Sequence, residues 1–165
     1  GGLEKMVETY NKLADYFKCK IIVSTHPRTK IRLKKLDLIN KNATNSIIWH
    51  DPFGLIDFLS LQINSLCVVS DSGTIHEDSC VLGFAAVAIR RSSEKFECID
   101  SGFCPFTGLD FESILPCLES SIANKKLIIE NNIPTEYLNK KASRVVTNII
   151  LSHSKELKKL WHSSY

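Results

Sequence analysis

Residues 68–90 read VVSDSGTIHEDSCVLGFAAVAIR. The apolar run that ends at Ser70 gives way to the small polar residues Asp71-Ser72-Gly73-Thr74. A stretch with helical character, TIHEDSCVLG, follows and stops at Gly83, and FAAVAIR returns to a short apolar run. Strand, helix and strand in this order make a βαβ unit. Short strands that are apolar on both faces belong to a parallel sheet covered by helices on its two sides.

The same grammar extends outward from this unit. Residues 3–17 repeat apolar positions at Leu3, Met6, Val7, Tyr10, Leu13, Ala14 and Phe17, which is a helical period. KIIVST reads as a buried strand, RTKIRLKKL as a helix, the polar run Asn40 to Asn45 as a connection, and NSIIWHD as a strand. GLIDFLSLQINS is helical and leads to the strand LCVVSDS. Beyond Arg90 the pattern predicts a helix near EKFECIDSG, a short strand near GFCPFTG, and helices over about 110–122 and 140–160. The expected fold is α/β, with a Rossmann-like three-layer parallel sheet. Three polar loops, Thr25-His26-Pro27-Arg28, His50-Asp51-Pro52 and Asp71-Ser72-Gly73-Thr74, follow strands directly, so all three are expected on the rim where open α/β sheets bind ligands.

Composition narrows the classes. A chain of 165 residues with 44% apolar and 24% charged residues is long enough for one domain with a proper core. No apolar run is long enough to span a bilayer, and Gly1-Gly2-Leu3-Glu4-Lys5 is no signal peptide; the opening glycines read as a cloning scar or a cut linker. A cytoplasmic location is expected. The net charge of +3 comes from interspersed lysines, densest at Lys30, Arg32, Lys34 and Lys35, which reads as a solvated helix face rather than a nucleic-acid surface. The six cysteines, Cys19, Cys67, Cys80, Cys98, Cys104 and Cys117, show no C-x-x-C pairing and are expected as buried, reduced thiols. No metal-ligand spacing joins the five histidines, and no cofactor is expected.

Each candidate residue carries two readings. Ser72-Gly73-Thr74 at a strand-to-helix junction makes an anion site from backbone N–H groups and the helix dipole, or an ordinary turn with a helix cap. Glu77 and Asp78, about one turn on, are bidentate acceptors for ribose hydroxyls, or acids that complement the dipole. A nucleoside diphosphate would satisfy both the anion site and the acids. His26, held extended by Pro27, is an acid, base or phosphate donor on the rim, or a structural histidine. Arg90, Arg91 or Lys95 can neutralise a diphosphate, or form a solvated basic loop. No nucleophile elbow, Walker loop or G-x-G-x-x-G is present.

Taken together, STHPRTK (24–30), DPFGLIDFLSLQ (51–62), SDSGTIHEDS (70–79), AIRRSSEKFE (88–97) and IDSG (99–102) resemble the C-terminal half of the non-hydrolysing UDP-N-acetylglucosamine 2-epimerase family. Within it the chain is most similar to the capsule and O-antigen branch, the UDP-2-acetamido-2,6-dideoxy-hexose 2-epimerases that make UDP-N-acetyl-L-fucosamine. The resemblance implies a two-domain GT-B fold. Residues 1–165 would be its C-terminal UDP-binding domain, and the N-terminal half with the acid/base carboxylates would be absent from this chain. It implies further that Phe58 lies beside the uracil, that Ser72, Gly73 and Thr74 form the diphosphate loop, that Asp78 with Glu77 before it holds the ribose, and that His26 is catalytic. The family's T-E-R-P-E reads Ser93-Glu94-Lys95-Phe96-Glu97 here, so Lys95 stands for an arginine at the UDP site and lacks its bidentate fork. The ribose acid is shortened from glutamate to Asp78.

The implied chemistry is inversion at C2 of a UDP-2-acetamido sugar, by elimination and re-addition of UDP, in cell-surface polysaccharide synthesis. The expected partners are UDP and the UDP-sugar, with neither nucleic acid nor membrane, and a homodimer for the full-length parent. The isolated fragment is expected to be inactive. The alternatives are a GT-B glycosyltransferase half and a non-catalytic UDP-sugar-binding module.

Overall fold

The computed structural model describes residues 2–41, 46–90, 102, 104–126, 133, 137 and 141–162. Seven helices and four strands are described: α1 (Gly2–Phe17), β1 (Ile21–Ser24), α2 (Pro27–Lys35), α3 (Leu38–Lys41), β2 (Ile47–His50), α4 (Leu55–Asn64), β3 (Val68–Ser70), α5 (Ile75–Leu82), β4 (Ala86–Ala88), α6 (Phe111–Ala123) and α7 (Ala142–His162). The chain divides into two compact units, residues 1–132 and 133–165.

In the first unit the strands pair in parallel as two ladders, β1 with β2 and β3 with β4. The registers are Ser24 opposite His50 and Ser70 opposite Ala88. The expected strand near GFCPFTG is a single parallel bridge from Phe106 to Ala88, held by Ala88 N–H to the Pro105 carbonyl and Thr107 N–H to the Ala88 carbonyl. β4 therefore has neighbours on both sides, and all three of its residues are fully buried.

The layers follow from the pleat of β4. Ala86 and Ala88 face one way, into a cluster with Ile75 of α5, Phe84 and Cys104. Val87 faces the other way, against Leu13 of α1 and Ile114 and Leu118 of α6. Successive strand residues point to opposite faces, so a strand buried at every position has to be covered twice. The alanines leave room for Phe84, which has no exposed surface. A third cluster joins Val7 of α1 to Leu33 of α2 and Leu38 of α3, with Ile47 and Trp49 of β2 against it. Each such side chain contributes about 1.5–3 kcal/mol by leaving water.

Helix ends show how the chain turns back on itself. At the end of α5, Gly83 takes the left-handed conformation (φ 71°) and donates to the Ser79 carbonyl at 2.9 Å, so the chain reverses into β4. α1 ends in the same manner without glycine. Lys18 is left-handed (φ 51°), and Cys19 N–H reaches back to the Ala14 carbonyl at 3.2 Å. α6 is capped by Asp110, whose carboxylate accepts from the Ser113 amide at 3.0 Å.

Several expectations changed. The run Asn40 to Asn45 was read as a connection, yet its start belongs to α3, which exists because Leu38 is buried in the third cluster. α2 starts at Pro27 itself, a residue well suited to the first helical position. Among the cysteines, Cys80 and Cys104 are buried and Cys67 and Cys117 are half-buried, but Cys19 is exposed because it lies in the turn after α1. The predicted helix near EKFECIDSG, apart from its last residue Gly102, lies outside the described residues, as do Arg91, Lys95 and Cys98.

The second unit is built on α7, a single helix of 21 residues. Val145, Val146, Ile149 and Ile150 recur at helical spacing and are exposed. No helix among the described residues is long and apolar enough to cross a membrane.

Candidate functional site

Two groups of candidate residues form at the carboxyl ends of the strands, as an open α/β sheet leads one to expect. The first stands at the ends of β1 and β2, which the parallel register brings together, and Thr25 N–H donates to the His50 carbonyl at 2.8 Å. Thr25 is buried and donates its hydroxyl to the Val23 carbonyl at 3.0 Å. His26 follows with extended backbone (φ −59°, ψ 140°), the conformation that a following proline enforces. Its Nδ1 accepts from the Arg28 amide at 3.2 Å, so the ring caps α2. A neutral ring that accepts at Nδ1 carries its proton on Nε2, a tautomer assigned here from the hydrogen bond. The exposed side of His26 is therefore a donor.

Neighbouring groups brace this loop. Lys30 of α2 forms an ion pair with Asp51 after β2, Nζ to Oδ1 at 2.5 Å. That hydrogen bond first, and the lysine charge second, hold the Asp51 carboxyl below its ordinary value. His50 stacks on Phe53 with ring centres 4.0 Å apart and planes 6° from parallel.

The second group stands at the ends of β3 and β4. Ser72 N–H donates to the Ser70 hydroxyl at 3.0 Å. The Ser72 hydroxyl accepts from Thr74 N–H at 3.3 Å and lies 3.1 Å from the Thr74 hydroxyl. Thr74 occupies the N-cap of α5 but makes no side-chain cap hydrogen bond, so the simple capping role does not account for its hydroxyl. Asp78 N–H donates to the Thr74 carbonyl at 2.9 Å, which starts the helix. Gly73 thus sits at the positive end of the helix dipole, where anions are favoured. Glu77 and Asp78 lie in the first turn, both half-buried.

Arg90 joins this group through the pairing of β3 with β4. Since Ser70 lies opposite Ala88, two residues further along each strand bring Arg90 beside the Ser72–Gly73 turn. The contact is close: a Cβ on Gly73 would sit 3.0 Å from Arg90 Nη1 and 4.0 Å from Cζ. On the other side, Tyr10 of α1 comes within the field of Asp71. Burial first, with the Asp71 charge adding to it, pushes the Tyr10 hydroxyl up to about 12.

Of the residues singled out in the sequence, Ser72, Gly73, Thr74, Glu77 and Asp78 are brought together in one turn and the helix it starts. His26 belongs to the first group. Phe58 sits one turn into α4, 37% exposed, with its N–H on the Gly54 carbonyl. Lys95 lies outside the described residues. His76 is fully buried beside Phe106, ring centres 5.0 Å apart, as a core residue would be. Cys67 offers no nucleophile, since burial pushes its thiol up to about 12. Sequence reasoning named Arg90 beside Arg91 and Lys95 and assigned the UDP site to Lys95; the strand register brings Arg90 to the Ser72–Gly73 turn, and Arg91 and Lys95 lie outside the described residues. Tyr10 was read as a core position, and nothing local to it signals its approach to Asp71.

The fold and the turn it presents define an α/β domain of the Rossmann-like kind that forms one half of a GT-B protein. Superposition agrees: the structure of a UDP-N-acetylglucosamine 2-epimerase from Rickettsia bellii matches with a TM-score of 0.80 and 27% identity, over 95% of this chain and 43% of that one. The crystal structure of the Methanocaldococcus jannaschii UDP-GlcNAc 2-epimerase, in complex with UDP-GlcNAc and UDP, matches with a TM-score of 0.73 and 25% identity, over 91% of this chain and 40% of that one. Residues 2–151 fit the UDP-N-acetylglucosamine 2-epimerase family, and the chain belongs to it. A relative from Methanococcus maripaludis named UDP-N-acetylglucosamine 2-epimerase is 33% identical over 125 residues, 75% of this chain and 34% of that protein. The chain thus spans about a third of the length of the curated relatives it matches.

Proposed function

We propose that this chain is the C-terminal, UDP-binding half of an enzyme that inverts C2 of a UDP-2-acetamido sugar by elimination and re-addition of UDP, acting in cell-surface polysaccharide synthesis. The observation that carries this reading is the Ser72-Gly73-Thr74 turn at the start of α5, with Glu77 and Asp78 one turn on. Family membership and the UDP-bound neighbour support it. In this reading the turn receives the diphosphate, Asp78 and Glu77 receive the ribose hydroxyls, Phe58 lies beside the uracil, and Lys95 adds positive charge.

The chemistry asks for a stabilised leaving group. Negative charge develops on UDP as the C1–O bond breaks, and the Ser72 and Thr74 hydroxyls with the dipole of α5 oppose it. His26, with its proton on Nε2, donates toward the same developing charge. Removing and returning the C2 proton requires positioned carboxylates, which this reading assigns to an N-terminal half. The 165-residue chain by itself would then bind nucleotide without turnover.

Titration of the chain with UDP, with CMP and inorganic pyrophosphate as controls, tests the reading. Selective UDP binding that is lost in Ser72→Ala supports it. Binding of pyrophosphate as strong as that of UDP would reduce the site to a general anion turn and refute the nucleotide assignment.

A further inference from the structure

We propose that Arg90 is the diphosphate-recognising cation of this site, and that position 73 is glycine so that the guanidinium can lie across the phosphate turn. The inference rests on the UDP-binding reading above and adds to it the residue that reads the ligand's charge.

Three observations converge. The parallel register carries Arg90 to the end of the sheet where the Ser72–Gly73 turn opens, and Ile89 N–H on the Ser70 carbonyl at 3.0 Å holds it there. The guanidinium then covers the α-carbon of Gly73 closely enough that a methyl group would meet Nη1 at 3.0 Å. Among the described residues Arg90 makes no ion pair, although Asp71, Glu77 and Asp78 all belong to the same loop and helix start. A half-buried guanidinium without an ion pair among the described residues, beside the start of a helix, is poised for an anion from outside the chain.

Arginine suits the task because its planar fork presents two parallel N–H donors to two oxygens of a phosphate, whereas an ammonium is a point charge. The lysine at position 95 cannot supply that geometry, so Arg90 gives the site its bidentate donor. Gly73 serves the arginine as well as the phosphate. An added Cβ would meet the far end of a flexible side chain, so Gly73→Ala should fold and displace the guanidinium.

The test compares UDP with uridine on the 165-residue chain and its variants, by NMR titration, with thermal melting as the check on folding. Arg90→Ala is expected to weaken UDP by about tenfold or more, the loss typical of a hydrogen-bonded charge, and to leave uridine within about twofold. Arg90→Lys keeps the charge and lacks the fork, so an intermediate loss is expected; it also carries the test if Arg90→Ala fails to fold. Gly73→Ala should weaken UDP in the parent and cost less in the Arg90→Ala background, where only its contact with the phosphate remains to be lost. Unchanged UDP affinity in a folded Arg90 variant, or a parallel loss of uridine, would overturn the proposal. A parent chain that binds no UDP would overturn the underlying reading and the proposal with it, and the parent titration shows this before any variant is made.

Discussion

The backbone amide of Arg28 donates to Nδ1 of His26 at 3.2 Å, so one imidazole both caps α2 and turns its Nε2–H outward. Under the proposed function the structural and chemical roles of this residue occupy different nitrogens, which makes them separable by substitution.

Asparagine is among the best N-cap residues and can accept the same amide. His26→Asn is expected to keep the melting temperature while abolishing turnover of the full-length enzyme, and His26→Ala to lose turnover and about 1 kcal/mol of stability as well. Denaturant unfolding paired with an epimerisation assay measures both. Normal turnover in a folded His26→Asn variant would leave the histidine with capping alone.

Glu77 and Asp78 are adjacent on α5 and point about 100° apart around the helix axis, so only one of them suits a given ribose. The Asp78 amide is bound to the Thr74 carbonyl, which ties that residue to the Ser72–Thr74 turn. Asp78→Ala is expected to weaken UDP binding more than Glu77→Ala, as read by calorimetry, and equal losses would refute the assignment.

Lys18 holds a left-handed backbone, φ 51°, at the end of α1, where glycine is normally favoured. A side chain in that region costs about 1–2 kcal/mol, offset in part by the freedom glycine brings to the unfolded chain. Lys18→Gly should therefore raise stability by about 1 kcal/mol, seen as a higher denaturant midpoint at unchanged slope. A lower midpoint would mean that Lys18 makes compensating contacts.

The Lys30–Asp51 pair gives a pH signature. The Asp51 carboxyl is held below its ordinary 3.8 by the Lys30 hydrogen bond. A carboxyl with a depressed folded value contributes stability that is fully present above the unfolded value and is lost as pH falls through the lower folded one. The window accordingly opens below pH 3.8. Lys30→Met is expected to move the Asp51 midpoint up toward the ordinary value in a carbonyl-detected NMR titration. Because the pair is exposed, the accompanying change in melting temperature should be small and weaken with salt. An unmoved midpoint would show that the pair does not persist in solution.

Much of the fold was legible because it rests on periodicity. The apolar positions of α1 buried as read, with Val7, Leu13 and Ala14 in the core, and Gly83 stopped α5 where its lack of a Cβ permits a left-handed turn. The βαβ unit of residues 68–90 stands as parsed. These are local signals, carried within a few residues. α3 was not legible, because Leu38 forms helix only when a third cluster is there to receive it. Among the candidate residues, the Ser72-Gly73-Thr74 turn and the acids after it lie within seven residues of one another, so their proximity was legible in the sequence. The approach of Arg90 to Gly73 was not readable, since it depends on which residue of β4 lies opposite Ser70. Tyr10, some sixty residues from Asp71 in the chain, reaches it only through the packing of α1 against the sheet. Sequence by itself determined the local alphabet of this protein, its strands, helix stops and small-residue turn, because those follow from steric and hydrogen-bonding rules acting over one or two turns of chain. Strand register and helix packing decided which charges meet at that turn, because contacts between distant segments are set by the burial of shared apolar faces, and no local pattern encodes them.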